Sequence, residues 1–137
     1  MPTPLTGFKE VPHTADWELE AWGPDLAALF EQAARGMYAL AGVRLQAGPR
    51  QLRQFELAAI DAESLLVRFL DELLYCASAE GLAFDVFRVV ISTNTLRAEL
   101  EGAPLASLDK EIKAVTYHKL NIQNGPHGLE VRIVFDV

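Results

Sequence analysis

Basic residues are scarce in this 137-residue chain: twelve Lys and Arg stand against nineteen Asp and Glu, a net charge of −7. That balance argues against broad electrostatic binding to nucleic acid, which needs a cationic surface. An acidic surface better suits a basic protein partner or a cation. Cysteine is nearly absent. A lone Cys76 excludes an internal disulfide and a multi-cysteine metal site, and inside a helical apolar pattern it reads as a small buried hydrophobe. Long apolar runs are missing, so no transmembrane helix is expected. The opening "MPTPLTGFKE" has no basic stretch followed by an apolar run and does not read as a secretory signal, so a cytoplasmic protein is the expectation. Phosphate loops of GxxxxGK type, GxGxxG, HExxH and GxSxG are all lacking, as are repeats. The three histidines, His13, His118 and His127, fall in separate elements.

Half of the residues are hydrophobic, enough for a real core, and the length predicts one domain over 1–137. Phe8 to Val11 suggests a short strand. Trp17, Leu19 and Ala21 alternate with Glu18, Glu20 and Trp22 as in a half-buried strand. After Gly23-Pro24, Asp25 is a suitable N-cap for a helix whose stripe is Leu26, Leu29, Phe30, Ala33, Met37 and Leu40, with Gly42 as its stop. Gln54 to Ala59 alternates as a strand. Asp61 repeats the capping pattern before Leu66, Phe69, Leu70, Leu73 and Ala77, and Gly81 ends that helix. Phe84 to Ile91 is apolar on both faces and reads as a central strand. "STNT" is a turn, Leu96, Ala98 and Leu100 form the next strand, and "EGAP" closes it. Lys113 to Ile122 and Leu129 to Val137 read as a last pair of strands around the turn residues of "NGPHG". The expected fold is α+β in two layers: two helices on one face of a mixed, mostly antiparallel sheet of about seven strands.

Oxygen donors are the most suggestive chemistry. Asp16 enters an alternating strand on the polar side, with Glu18 and Glu20; Asp136 lies on the polar side of the last strand, beside the main-chain carboxylate of Val137. Clustered oxygens of this kind suit a hard divalent cation, whereas chain ends are usually solvated and frayed; the residues alone leave both readings open. Asp71 and Glu72 are adjacent on a helix, point in different directions and are not a catalytic pair by spacing. In "EIKAVTYHKL", a strand would place Lys113 and Tyr117 on one face and His118 on the other. Of the four lysines, Lys110, Lys113 and Lys119 lie within one short segment, a local basic spot on an acidic chain.

Together these segments resemble the archease family: "HTADWELEAWG" its N-terminal signature, "FEQAARGMYAL" and "LLVRFLDELLY" its two helices, "EIKAVTYHKL" and "VRIVFDV" its last two segments. The resemblance implies an accessory protein, not an enzyme, that assists an RtcB-type RNA ligase in tRNA splicing and RNA repair by promoting guanylylation and repeated turnover. It implies contact with RNA only through the ligase, none with membranes, and a divalent-cation site, of calcium type, at Asp16, Asp136 and Val137. Lys113 is the best further candidate, with Glu72 weaker and His13 serving to hold the turn before Asp16. Asp71 stands where many members have Asn. A cation shared by Asp16 and Asp136 requires the first and last long strands to meet at one rim. Two other readings stay open: a metal-dependent hydrolase or nuclease, in which carboxylates activate a metal-bound water, and a general RNA-processing chaperone.

Overall fold

Both helices start and stop where the cap residues dictate. In the computed structural model, which describes residues 5–11 and 17–137, helix α1 (Leu26–Ala41) and helix α2 (Ala62–Glu80) are N-capped by Asp25 and Asp61. Each cap carboxylate accepts from a first-turn amide at 2.8 Å, Ala28 N and Ser64 N respectively. Each helix ends at a glycine in the left-handed region, Gly42 (φ 67°) and Gly81 (φ 62°), a conformation that costs glycine no Cβ clash.

The strands, in chain order with the helices between them, are β1 (Gly7–Val11), β2 (Trp17–Gly23), β3 (Arg44–Leu45), β4 (Gln51–Ala58), β5 (Leu82–Ser92), β6 (Thr95–Ser107), β7 (Ala114–Val115), β8 (Gln123–Gly125) and β9 (Gly128–Asp136). The α+β class stands, with two helices. The single mixed sheet of about seven strands does not: among the described residues nine strands form two sheets, and every pairing is antiparallel. One sheet holds β1, β2, β9, β7 and β8; the other is built on β6, which pairs with β3, β4 and β5. Helix α1 packs on β1 and β2 and reaches β5, while α2 packs on β4, β5 and β6 and reaches β7, so the helix pair touches both sheets. Phe30 of α1 and Phe69 of α2 are fully buried with stacked rings 5.9 Å apart. Burial of a side chain of this size is worth roughly 1.5–3 kcal/mol.

Three details correct the sequence reading. Among the described residues β5 pairs only with β6, so it is not a central strand. Its apolar character on both faces comes from a bulge between Phe84 and Val86. The extra residue flips the alternation, so Leu82 and Phe84 are buried before it and Phe87 after it, while Val90 is 63 % exposed. Second, β6 does not close at "EGAP" but runs on to Ser107; Pro104 is tolerated there, its carbonyl accepting from Gln46 N at 2.8 Å. Third, Lys113 to Ile122 is not a strand. Only Ala114 and Val115 pair with β9, after which local bonds take over: His118 N to Thr116 Oγ1 at 3.3 Å and Leu120 N to Tyr117 O at 3.1 Å, with Lys119 at φ 54°. The shared face expected for Lys113 and Tyr117 therefore does not exist. The turn at "STNT" is as expected: Thr93 and Asn94 both take positive φ (44° and 59°) in the two-residue hairpin between β5 and β6.

Two outcomes follow from these contacts. Gly102 of β6 lies so close to β5 that a Cβ would collide with the Ala83 carbonyl and stand 2.7 Å from Phe84 Cα. Gly102→Ala is expected to lower stability by about 3 kcal/mol, the upper end for overpacking, in urea denaturation. The hydrogen bond from the Ser64 amide, helped by the Ser64 hydroxyl, holds the Asp61 carboxyl below its ordinary pKa. Its native pKa is depressed, so its stabilisation is present at neutral pH and disappears as the pH falls through the acidic carboxylate range. Asp61→Asn keeps a capping oxygen without the titration, so its stability deficit relative to wild type should be largest at pH 7 and shrink at pH 3.

Candidate functional site

The first sheet is organised around β9. On one edge β2 pairs with it from Gly23 opposite Leu129 to Trp17 opposite Phe135; on the other edge lie β8 and β7. Val131, Ile133 and Phe135 point into the core, while Arg132 and Asp136 are exposed. The end of the strand is held on both sides. Lys113 N–H donates to Asp136 O at 2.8 Å, and Thr116 donates to Val134 O from its amide and from its hydroxyl, both at 3.0 Å. Val137 is half-buried against the core.

The structure thus brings Lys113, Asp136 and Val137 together at one rim. The Asp136 carboxylate is exposed and has no hydrogen-bond or ion-pair partner among the described residues. Asp16 and His13 lie outside the described residues; the described register ends with Trp17 opposite Phe135, the sequence neighbours of Asp16 and Asp136 respectively. On the same polar side of β2 sits Glu18, buried to 6 % exposure, with Arg132 Nε 3.7 Å away. Its place on that side was legible in the alternation; its burial was not. Among the described residues no three His, Cys, Asp or Glu side chains converge. What the described part offers a cation is one free carboxylate, Asp136, beside the main-chain oxygens of Val137. These are hard oxygen donors, the type that Ca²⁺ and Mg²⁺ take.

Beyond Lys113 the chain runs antiparallel along α2. Val115 comes up to Asp71, and Ile122 N donates to Glu63 Oε2 at 2.9 Å in the first turn of the helix. Burial raises the Asp71 pKa, the Val115 main-chain N–H opposes that shift, and the neighbouring charge of Glu72 adds to it. Asp71, rather than Glu72, lines a groove of about 500 Å³ together with Lys110 and Lys113. Glu72 is half-buried on the next helical position and does not line it. No spacing rule links residue 71 to residue 113, so this pairing was not readable beforehand.

The Archease protein family (MTH1598/TM1083) matches residues 8–137. The chain belongs to the archease family. The protein archease of Thermococcus gammatolerans is 35% identical over 124 residues, 85% of this chain and 87% of the relative. That of Methanosarcina barkeri is 34% identical over 139 residues, 95% of each. Among solved structures, the solution structure of Methanobacterium thermoautotrophicum protein 1598 superposes with a TM-score of 0.72 at 28% identity, covering 96% of this chain and 99% of that one. An archease from Thermotoga maritima, described as a possible chaperone, gives 0.67 at 21% identity over 100% and 98% of the two chains, a likeness of fold. The family thus matches the described β1, β2, both helices and the β9 rim in one continuous stretch.

Tyr38 in the groove wall has a buried hydroxyl that lacks a hydrogen-bond partner in good geometry, although the Phe84 main chain lies near it. Burial pushes its pKa well above the usual phenol range. An unsatisfied buried hydroxyl destabilises, so Tyr38→Phe should raise stability by about 1 kcal/mol in urea denaturation. A loss of that size would mean that the Phe84 main chain holds the hydroxyl after all.

Proposed function

We propose that the protein is an accessory factor, not itself an enzyme, that activates an RtcB-type RNA ligase in tRNA splicing and RNA repair, promoting guanylylation and repeated turnover. The observation that carries this reading, alongside family membership, is the end of β9: a free, exposed carboxylate at Asp136 on a strand hydrogen-bonded from both sides, with Lys113 bonded to its main chain. Asp16, Asp136 and the main-chain oxygens of Val137 would hold a divalent cation of calcium type. Bound there, a cation supplies the positive charge that lets carboxylates sit together at one rim.

The chain's own residues do the rest. Antiparallel pairing fixes where the Asp136 carboxylate stands, so docking costs little ordering entropy there. Net acidity favours approach to the basic surface expected of an RNA-joining enzyme. Lys113, tied to that strand through its main chain, offers an ammonium suited to a phosphate or carboxylate of the partner. Neither RNA nor a membrane is part of the proposed contact surface; no helix among the described residues is long and apolar enough to cross a membrane.

The test is a ligation assay with purified ligase in excess over this protein, combined with calorimetric titration of Ca²⁺. Asp136→Ala is expected to abolish saturable Ca²⁺ binding and to lower stimulated turnover by at least about tenfold, the range seen when a buried or positioned charge partner is lost. Lys113→Ala should lower turnover while leaving Ca²⁺ binding intact. Wild-type stimulation by both variants would defeat the proposal. RNA or nucleotide turnover by the protein alone, lost on Asp136→Ala, would favour the hydrolase reading instead.

A further inference from the structure

The groove between the C-terminal halves of the two helices is not explained by the rim chemistry. Its floor and walls are apolar, with Met37, Ala41, Val43, Leu74, Ala77 and Ile112 among them. Its lips carry the same character outward: Tyr75 is 62% exposed and Leu108 40%. A small ligand is typically enclosed by its pocket and would leave such lips bare; a polypeptide covers a cleft and its margins together. Tyr, Leu and Met at a cleft margin are also the material of protein interfaces.

Charge narrows the occupant. Seven of the eight arginines, and Lys9, are ion-paired with carboxylates of this chain, and Arg68 is bonded to Ala58 O. Lys110 and Lys113, at the mouth of the groove, have no ion-pair partner among the described residues, on a chain that carries nineteen carboxylates. Asp71 and Glu111 also line the groove. Partial desolvation raises the Asp71 pKa, opposed by the Val115 main-chain N–H and assisted by the charge of Glu72.

We propose that this groove docks an extended segment of a partner polypeptide bearing one large apolar side chain with acidic neighbours. The apolar side chain enters between α1 and α2, and its flanking carboxylates meet Lys110 and Lys113. The inference names a recognition chemistry and does not depend on the ligase reading, because its test contains no ligase and no cation. Lys110 has a second role to separate from this one: its amide donates to Ala41 O at 3.1 Å, which puts its main chain at the C-terminal end of α1, where a cation would offset the helix dipole.

The experiment is an amide chemical-shift titration of the full chain at low salt with nine synthetic heptapeptides. Each has a central Leu, Phe or Trp flanked on both sides by Glu, Lys or Ser. The Glu-flanked Phe and Trp peptides should shift amides of 37–43, 71–78 and 108–113 saturably, and at least about tenfold more tightly than the Lys-flanked ones. Lys110→Glu should reverse that preference, and Ala77→Leu, which fills the groove, should remove binding of all nine at an unchanged urea midpoint. A Lys110→Glu chain that loses stability but binds the Glu-flanked peptides as before would assign Lys110 to the helix end and overturn the proposal. So would equal binding of Glu- and Lys-flanked peptides, or no groove shifts at millimolar peptide. Shifts of the same amides by a uridine dodecamer but by no peptide would also overturn it, in favour of RNA.

Discussion

The hydrogen bond from Lys113 N to Asp136 O, at 2.8 Å, is the constraint on which the rest of the functional surface depends. It ends a ladder that β2 supports from the other edge, so Asp136 is positioned by pairing and not left to fray. The same segment turns away at Thr116, whose amide and hydroxyl both end on Val134 O, and is tied down again where Ile122 N meets Glu63. It is a strap laid along α2, anchored at three points. One side of the strap is the acidic rim at the end of β9; the other is the lysine-bearing wall of the groove. Disturbing the strap would move both.

Much of this architecture is readable from short-range chemistry. Asp25 and Asp61 announce the helices because a carboxylate at that spot has only the free first-turn amides to bind, and Gly42 and Gly81 end them because the left-handed turn excludes a Cβ. Strict alternation likewise put Asp136 on the polar side of the last strand and Phe135 in the core. The misreadings share one cause: alternation reports which way a side chain points only while the ladder keeps step. The bulge at Phe84/Val86 breaks step inside β5 and imitates a strand buried on both faces. In "AVTYHKL" the Thr116 hydroxyl supplies a local acceptor that competes with the ladder, and a two-residue strand results where ten residues looked regular. The number of sheets was out of reach for a related reason, since nothing local tells β6 that its partners are β3, β4 and β5 while β9 takes β2, β7 and β8.

The candidate site divides in the same way. Asp136 and Lys113 were singled out before their main-chain bond was visible, while Asp71, set aside as one of two adjacent helical acids, emerges as the one that faces the groove. A helix places positions 71 and 72 about 100° apart, so only the path of the strap decides which of them matters. Asp16 and His13, on which the sequence argument leaned, lie outside the described residues, and the β2–β9 register carries the case up to Trp17 and Phe135.

How the cations are spent sharpens this division of labour. Arginine's planar fork is suited to bind carboxylates in fixed geometry, and here arginines staple the sheet surfaces: Arg88 to Glu99, Arg97 to Glu56, Arg50 to Asp85 and Glu101, Arg53 to Glu80. Exposed pairs of this kind add little stability each, yet they leave those arginines with no unpaired positive charge to offer a partner. The lysines of the strap are left out of that network. The ammonium groups of Lys110 and Lys113 thus stay available at the groove, and Lys113 is tied through its main chain to the strand that carries the unpaired Asp136 carboxylate. The acidic excess of the chain orients a basic partner before contact, and the apolar groove beside the unpaired lysines then supplies burial that can hold a polypeptide.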